Sequence, residues 1–155
     1  MYRSGEILYM KELILLLILS TGAFADVSLY RGFGTTHLFM DNSHLNNNNG
    51  VTALMVDNLV FGAMVNSFGE QGHFIGYQPK IVDGAKVDVY AGLAVVGGYR
   101  RWQLLYINYN QDNWNEKVVV YMPIVSANYP LTDNISFQVN NMALFVLNAG
   151  LRIDF

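Results

Sequence analysis

The chain has 155 residues, no cysteine, and a formal net charge of −3 from 9 Lys and Arg against 12 Asp and Glu residues. The lack of cysteine excludes a disulfide scaffold, a thiol nucleophile and a thiolate metal site. The weakly acidic balance does not provide the basic stripe that nucleic-acid binding requires. Beyond the amino-terminal segment no run of about 18 apolar residues occurs, so the sequence predicts no membrane-spanning helix.

Residues 13–19 form a short apolar run with Lys11 before it and Ala23-Phe24-Ala25 behind it. A basic flank, an apolar core too short to span a bilayer and a small-x-small site are the features of a secretory signal peptide. We therefore expect residues 1–25 to be a signal peptide and 26–155 to form one exported domain. We interpret residues 1–9 as an extension ahead of the signal peptide, because Met10-Lys11 is a more usual start for a signal peptide. The alternative for this segment is a buried amino-terminal helix.

Alternating apolar and polar residues, divided by turn residues, predict eight strands in the exported part. The predicted strands cover 32–41, 51–57, 59–67, 73–82, 86–100, 117–129, 135–140 and 144–155. Asp57-Asn58 and Asp83-Gly84 favour the positive φ of tight hairpins. In the last strand every second residue from Phe145 to Phe155 is apolar, and such an ending resembles the closing strand of bacterial outer-membrane barrels. The predicted fold is all-β, an eight-stranded antiparallel transmembrane β-barrel of outer-membrane type, monomeric.

The lengths of the connections predict how such a barrel is oriented. Outer-membrane barrels have short periplasmic turns and longer outer loops. The connections after the second, fourth and sixth predicted strands are short, and those after the first and fifth are long. The connections expected outside are 41–50, 68–72, 101–116 and 141–143.

The inward face of the predicted barrel turns from polar to apolar toward the outside. In the fifth strand Asp88 and Tyr90 begin the inner row, whereas Tyr99 falls on the outer row. At the periplasmic end, charged residues are expected to face one another: Lys80, Asp88, Arg152 and Asp154. An upper lumen of small and flexible side chains suits an acyl slot, with a lumen already filled by side chains as the alternative. The predicted slot residues are Gly62, Met64, Gly92, Ala94, Val96, Met122 and Ile124.

His37 and Ser67 end strands that rise to the same outer rim. A serine becomes a nucleophile beside a base, and histidine is the usual base. The alternative is a chance pairing at one rim. Strict alternation puts Phe33 and Phe39 on the face of His37, and Asp41 is a possible third partner.

No metal and no cofactor are predicted. The candidate ligands on the outer side are His37, His44, His73 and Asp41, but their spacing matches no known ligand pattern.

Arg100 and Arg101 stand at the outer end of the fifth predicted strand, next to Trp102. Arginine binds phosphate in bidentate fashion, so both are candidate contacts for lipopolysaccharide phosphates. The alternative is an interface anchor in an aromatic girdle. The girdle would comprise Trp102, Tyr106, Tyr109 and Trp114.

Four stretches resemble the lipid A palmitoyltransferase (PagP) family and its small phage-borne and bacterial relatives. They are Thr36-His37-Leu38-Phe39 with Asn49-Gly50-Val51, the stretch 62–67 with Phe74-Ile75-Gly76-Tyr77, the stretch 91–99, and the stretch 122–129. The resemblance implies transfer of a palmitoyl chain from phospholipid to lipid A by a rim His, Asp and Ser, with the acyl chain inside the barrel. The His carries over to His37 and the Ser to Ser67, while Asn66 stands at the Asp position. Asparagine cannot take a proton, although it can orient a hydroxyl.

The leading functional hypothesis is therefore an acyltransferase in a bacterial outer membrane, with phospholipid and lipopolysaccharide as partners and the barrel-assembly machinery acting during biogenesis. The rival is a non-catalytic barrel that modifies the cell surface, such as a phage-encoded receptor-access or exclusion protein. The lumen and the His37/Ser67 pair favour the first hypothesis, and Asn66 favours the second.

Overall fold

The computed structural model describes residues 26–38, 45–104 and 116–155. The predicted signal peptide and part of each long connection lie outside the described residues, together with Phe39, Asp41 and His44 and the girdle residues Tyr106, Tyr109 and Trp114. No helix in the described ranges is long or apolar enough to cross a membrane.

Nine strand segments and one helical turn, α1 (Arg101–Leu104), make up the described fold. The strands are β1 (Val27–His37), β2 (Thr52–Val56), β3 (Leu59–Val65), β4 (Gln71–Tyr77), β5 (Lys80–Val82), β6 (Asp88–Arg100), β7 (Lys117–Pro130), β8 (Ile135–Met142) and β9 (Val146–Asp154). The sheet runs β4-β3-β2-β1-β9-β8-β7-β6-β5, and β4 also pairs with β6, which closes it. Because β4 and β5 both pair with β6, they form one interrupted strand. The fold is the predicted closed eight-stranded antiparallel barrel.

The first and fourth predicted strands differ most from the observed limits. The first begins at Val27 instead of at residue 32, because the polar Ser28 belongs to the inner row and was not recognised as part of a strand. The fourth breaks after Tyr77, where Pro79 has no N–H for the ladder. The positive φ predicted for a tight hairpin is present at Asp57. The same prediction is wrong for Asp83-Gly84, where neither residue has a positive φ and the connection runs over residues 83–87.

The connections between the strands lie at two opposite ends of the barrel. One end, called the turn end, has Asp26, Phe155 and the short connections 57–58, 83–87 and 131–134. The other, called the loop end, has the connections 38–51, 66–70, 101–116 and 143–145.

The outer surface of the barrel is apolar and the inner surface is mixed. In β9, Leu151 and Ile153 are exposed outward whereas Asn148 and Arg152 are buried inward, as the alternation predicts. Other strands expose Leu59, Phe61, Ile75, Leu93, Val119, Tyr121 and Val125. An apolar surface on this scale belongs in the hydrocarbon of a bilayer.

Two bulges invert the alternation and correct two predictions. The register shifts between Gly97 and Tyr99, with Gly98 at a φ of 102°, so Tyr99 is 8% exposed inside the barrel and not on the outer row. A second shift between Gly32 and Gly34 leaves Phe33 62% exposed, while His37 is turned inward. One extra residue in a strand moves all later side chains to the other face.

Asn148 is buried inside the barrel beside the bulge in β1, where its side chain occupies the space that a Cβ on Gly32 would take. Its Oδ1 accepts a 2.5 Å hydrogen bond from the Tyr30 hydroxyl. Its Nδ2 donates to the Gly34 carbonyl at 3.0 Å and to Thr35 Oγ1 at 2.9 Å. The first and last strands are therefore joined by side chains as well as by the ladder.

The turn-end half of the lumen is a polar network. Gln78 Nε2 donates to Ser126 Oγ at 2.7 Å, and Gln138 Nε2 donates to Asn140 Oδ1 at 2.6 Å. Closer to the turn end lies the predicted cluster of charged residues, which comprises Lys80, Asp88, Arg152 and Asp154. Lys80 Nζ lies 2.9 Å from Asp88 Oδ2, and Arg152 Nε lies 2.6 Å from Asp154 Oδ1.

Above this network the lumen is apolar, and its middle is filled. The predicted slot residues Met64, Ala94, Val96, Met122 and Ile124 all belong to one buried cluster. The cavity bordered by Tyr30, Phe74, Ile124 and Met142 measures about 30 Å³, roughly the share of one water molecule in liquid.

Gly62 and Gly92 do not line an open slot, which corrects their predicted role. The ring of Phe74 occupies the space that a Cβ on Gly62 would take. The carbonyl of Tyr77 occupies the corresponding space over Gly92. Both glycines are required because another group approaches them closely.

Heating is expected to change the electrophoretic mobility of this protein. A closed barrel with its ladder bonds satisfied resists detergent until it is heated, so an unheated sample should migrate faster than a boiled one. Gel electrophoresis of membrane fractions measures this. Equal mobility, or a helix-rich circular dichroism spectrum, would contradict the barrel.

Gly92→Ala is expected to destabilise the barrel by about 1–3 kcal/mol, because the methyl group would overlap backbone atoms of Tyr77 and Gln78. Urea unfolding in detergent micelles measures the midpoint. Gly97→Ala on the same strand is the matched control, since the nearest atom to its new Cβ is 3.9 Å away. Equal midpoints for the two variants would contradict the close approach of β4 to β6.

Candidate active site

His37 and Ser67 meet at the loop end of the barrel. His37 is the last residue of β1, and Ser67 follows the end of β3. Since β2 lies between β1 and β3, the chain leading into β2 enters between these two strands. This segment, residues 45–50, is attached to the end of β3: Asn46 N–H donates to the Ser67 carbonyl at 2.7 Å, and Val65 N–H donates to the Asn49 carbonyl at 3.1 Å.

The histidine contacts a different partner through each ring nitrogen. His37 Nε2 lies 2.6 Å from Ser67 Oγ, and His37 Nδ1 lies 2.9 Å from Asn47 Oδ1. The histidine is 5% exposed and the serine 8%. An amide oxygen only accepts, so this contact places the proton on Nδ1 and leaves Nε2 to accept the serine hydroxyl. The arrangement can remove a proton from Ser67.

Asn66 has a different role from the one predicted. The side chain is completely buried. Its Oδ1 accepts from the backbone N–H groups of Phe68 at 2.9 Å and Glu70 at 3.0 Å. Its Nδ2 donates to the Gly98 carbonyl at 3.1 Å and to Gln103 Oε1 at 3.4 Å. Two acceptor sites and two donors are the full hydrogen-bonding capacity of an asparagine side chain.

Asn66 is therefore a structural residue, and none of these four hydrogen bonds goes to His37 or Ser67. It holds the turn after β3 and ties it to the bulge in β6. Two backbone N–H groups that follow Ser67 are already engaged in hydrogen bonds. Phe68 N–H donates to the Asn66 side chain, and Gly69 N–H donates to the Asn66 carbonyl at 2.9 Å.

A polar cluster behind the turn fixes the start of α1. Arg100 Nε lies 2.7 Å from Glu70 Oε1. Gln103 Nε2 donates to the same carboxylate at 3.3 Å, and Gln103 Oε1 accepts from Arg100 N–H at 2.9 Å. Gln103 could not be predicted as part of this cluster, because no local sequence pattern distinguishes it.

Both candidate phosphate ligands face carboxylates of this chain. Arg100 pairs with Glu70, and Arg101 Nη2 lies 2.8 Å from Glu116 Oε2. Phosphate binding by either arginine stays a prediction, and a bound phosphate would have to share the guanidinium with that carboxylate. His73, the other described histidine, is exposed on β4, and within the described ranges no three potential metal ligands lie together.

Asn66→Asp is expected to destabilise the protein by about 1–3 kcal/mol, because a carboxylate oxygen would replace the amide that donates to Gly98 and Gln103. Thermal unfolding in detergent micelles measures the difference. Ser67→Ala is the control, since it removes a rim hydroxyl and leaves these four bonds intact. An Asn66→Asp protein that is as stable as the parent would contradict the structural role.

No family model matches this chain, and no curated protein matches it either. Among solved structures it is similar to the outer membrane protein Ail of Yersinia pestis, determined as a backbone structure in a phospholipid bilayer nanodisc. The identity is 10%, the match covers 84% of this chain and 99% of that chain, and the TM-score is 0.51. At this identity the likeness shows the fold alone, and the resemblance to the PagP family rests on the four sequence stretches. The chain has the eight-stranded barrel fold found in outer-membrane proteins.

Proposed function

We propose that this protein lies in a bacterial outer membrane and transfers a fatty acyl chain, palmitoyl by the resemblance to PagP, from phospholipid to lipid A. The observation that carries the proposal is the 2.6 Å contact between His37 Nε2 and Ser67 Oγ. A buried histidine and serine at this distance are equipped for acyl transfer to and from the serine.

The position of the pair supports work at the outer leaflet. Outer-membrane barrels carry their longer loops outside, and His37 and Ser67 lie at the loop end of this barrel. Lipid A and a misplaced phospholipid would both reach that rim from the surrounding leaflet. The apolar outer surface of the barrel is suited to the hydrocarbon of the same leaflet.

The proposed reaction has two halves. Ser67 Oγ bonds to the carbonyl carbon of the donor ester while its proton moves to His37 Nε2. The bond from that carbon to the glycerol oxygen breaks, and His37 returns the proton to the departing alkoxide. A lipid A hydroxyl then attacks the acyl–serine ester, giving its proton to His37, and Ser67 leaves and recovers that proton.

The acyl chain requires apolar space below the serine. Met64, Met122 and Met142 are in the buried cluster that follows the rim into the lumen. Methionine is flexible and repacks at low cost, so these side chains can move to admit a chain above Phe74. The polar network at the turn end limits how deep the chain can reach.

The rival hypothesis of a non-catalytic surface barrel was favoured by Asn66 at the position of an acid. Since the Asn66 side chain is engaged in two hydrogen bonds within the turn and two more to Gly98 and Gln103, its identity does not argue for either function. We therefore retain the acyltransferase as the proposal.

Expression of the protein is expected to add one fatty acyl chain to lipid A. Ser67→Ala and His37→Gln should each lower this addition by about 10²-fold or more, as expected for loss of a nucleophile or its general base. Mass spectrometry of lipid A from cells with and without each variant measures it. His73→Ala is the control, because its side chain is exposed on β4 away from the pair.

Unchanged lipid A in cells whose wild-type barrel is inserted and heat-modifiable would contradict acyl transfer. The surface-modifying rival would then be preferred.

A further inference from the structure

The identity of the residue that orients His37 decides whether the serine can be activated. A histidine that accepts a proton at Nε2 must carry its own proton on Nδ1. A neighbouring acceptor is what fixes that tautomer and the plane of the ring. In serine relays this acceptor is usually a carboxylate, and the position that resembles it here is Asn66.

Asn47 meets the requirement that Asn66 does not. Asn47 Oδ1 is 2.9 Å from His37 Nδ1, on the opposite side of the ring from the serine contact. Asn66 has both donors and both acceptor sites engaged by the turn and by the β6 bulge.

The chain around Asn47 is held in place on both sides. Asn46 Oδ1 accepts from Asn48 N–H at 3.0 Å, and Asn46 Nδ2 is 3.3 Å from the Asn48 carbonyl. The same Nδ2 lies 3.3 Å from the Asn66 carbonyl, and Asn46 N–H donates to the Ser67 carbonyl. Asn47 therefore lies on a segment that is hydrogen-bonded to the backbone of Asn66 and Ser67.

We infer that Asn47 is the positioning residue of this site, so that the relay is Ser67–His37–Asn47. The effect of Asn47 on catalysis rests on the proposed function, whereas its effect on the His37 tautomer does not. A neutral amide fixes the ring without offsetting the positive charge that the ring gains on taking the serine proton. Cysteine proteases of the papain type use an asparagine in this position.

The direct test is ¹⁵N NMR of the His37 ring in detergent micelles or nanodiscs. The chain has three histidines, so His44→Gln and His73→Gln provide a background in which His37 gives the only imidazole signals. Near neutral pH we expect Nδ1 to resonate as the protonated nitrogen and Nε2 as the acceptor. A ring protonated on Nε2 would overturn the inference without any change at Asn47.

In the same background, Asn47→Ala is expected to give a mixture of tautomers, and Asn47→Asp, which keeps the acceptor oxygen, to restore a single one. Asn48→Ala is the matched control, because Asn48 bonds to Asn46 through its backbone carbonyl and N–H, which the substitution keeps. Heat-modifiable migration shows that each variant is folded. A tautomer unaffected by Asn47→Ala, or affected equally by Asn48→Ala, would overturn the inference.

Kinetics with detergent-solubilised donor and acceptor lipids separate positioning from binding. Asn47→Ala is expected to lower kcat by about 10²-fold with KM unchanged, and Asn47→Asp to recover part of the loss. A change in KM alone would overturn the positioning role. If the tautomer responds to Asn47→Ala but the wild-type barrel does not acylate lipid A, the inference stands and the proposed function fails.

Discussion

Closure of the sheet is the constraint on which this structure depends: of the described strands, all except the short β5 pair on both sides. In hydrocarbon no water is present to satisfy a free N–H or C=O group, so a spanning sheet must close. Here β1 pairs with β2 and β9, and β6 pairs with β7 on one side and with β4 and β5 on the other. Closure sets the order of the strands, and the order puts β1 and β3 on either side of β2. The histidine and the serine come together because their strands end at the same rim with one entering chain between them.

The parts of the fold that follow a period of two could be predicted from the sequence. The outward row of β9 and the inner rows of β3 and β7 were identified correctly, since one face meets lipid and the other the lumen. The charge cluster at the turn end also followed from alternation, because Asp88 and Arg152 stand in inner rows. These features depend on neighbouring residues in one strand and on nothing distant.

The bulges could not be predicted in the same way. Glycines occur at positions 32, 34, 97 and 98, but glycine composition alone does not say which residue is the extra one. Only the pairing with β7 shows that Tyr99 has moved inward, and only the pairing with β9 shows that Phe33 and His37 lie on opposite faces. The role of Asn47 was hidden for a similar reason. It is one of four consecutive asparagines, and the tertiary contact with His37 distinguishes it from the others.

The joint between β1 and β9 has a consequence for how the chain reaches this state. The Tyr30–Asn148 hydrogen bond joins residues 118 positions apart, and Phe155 N–H donates to the Val27 carbonyl at 2.9 Å. Contacts of such high sequence separation cost loop-closure entropy before they contribute any stability, which makes folding slow. Until the last strand arrives, β1 presents an open edge that other strands can pair with. Pairing of the carboxy-terminal strand with β1 is therefore the slow step that closes the barrel. Loss of the final residues of β9 would leave an aggregation-prone open sheet instead of a smaller barrel.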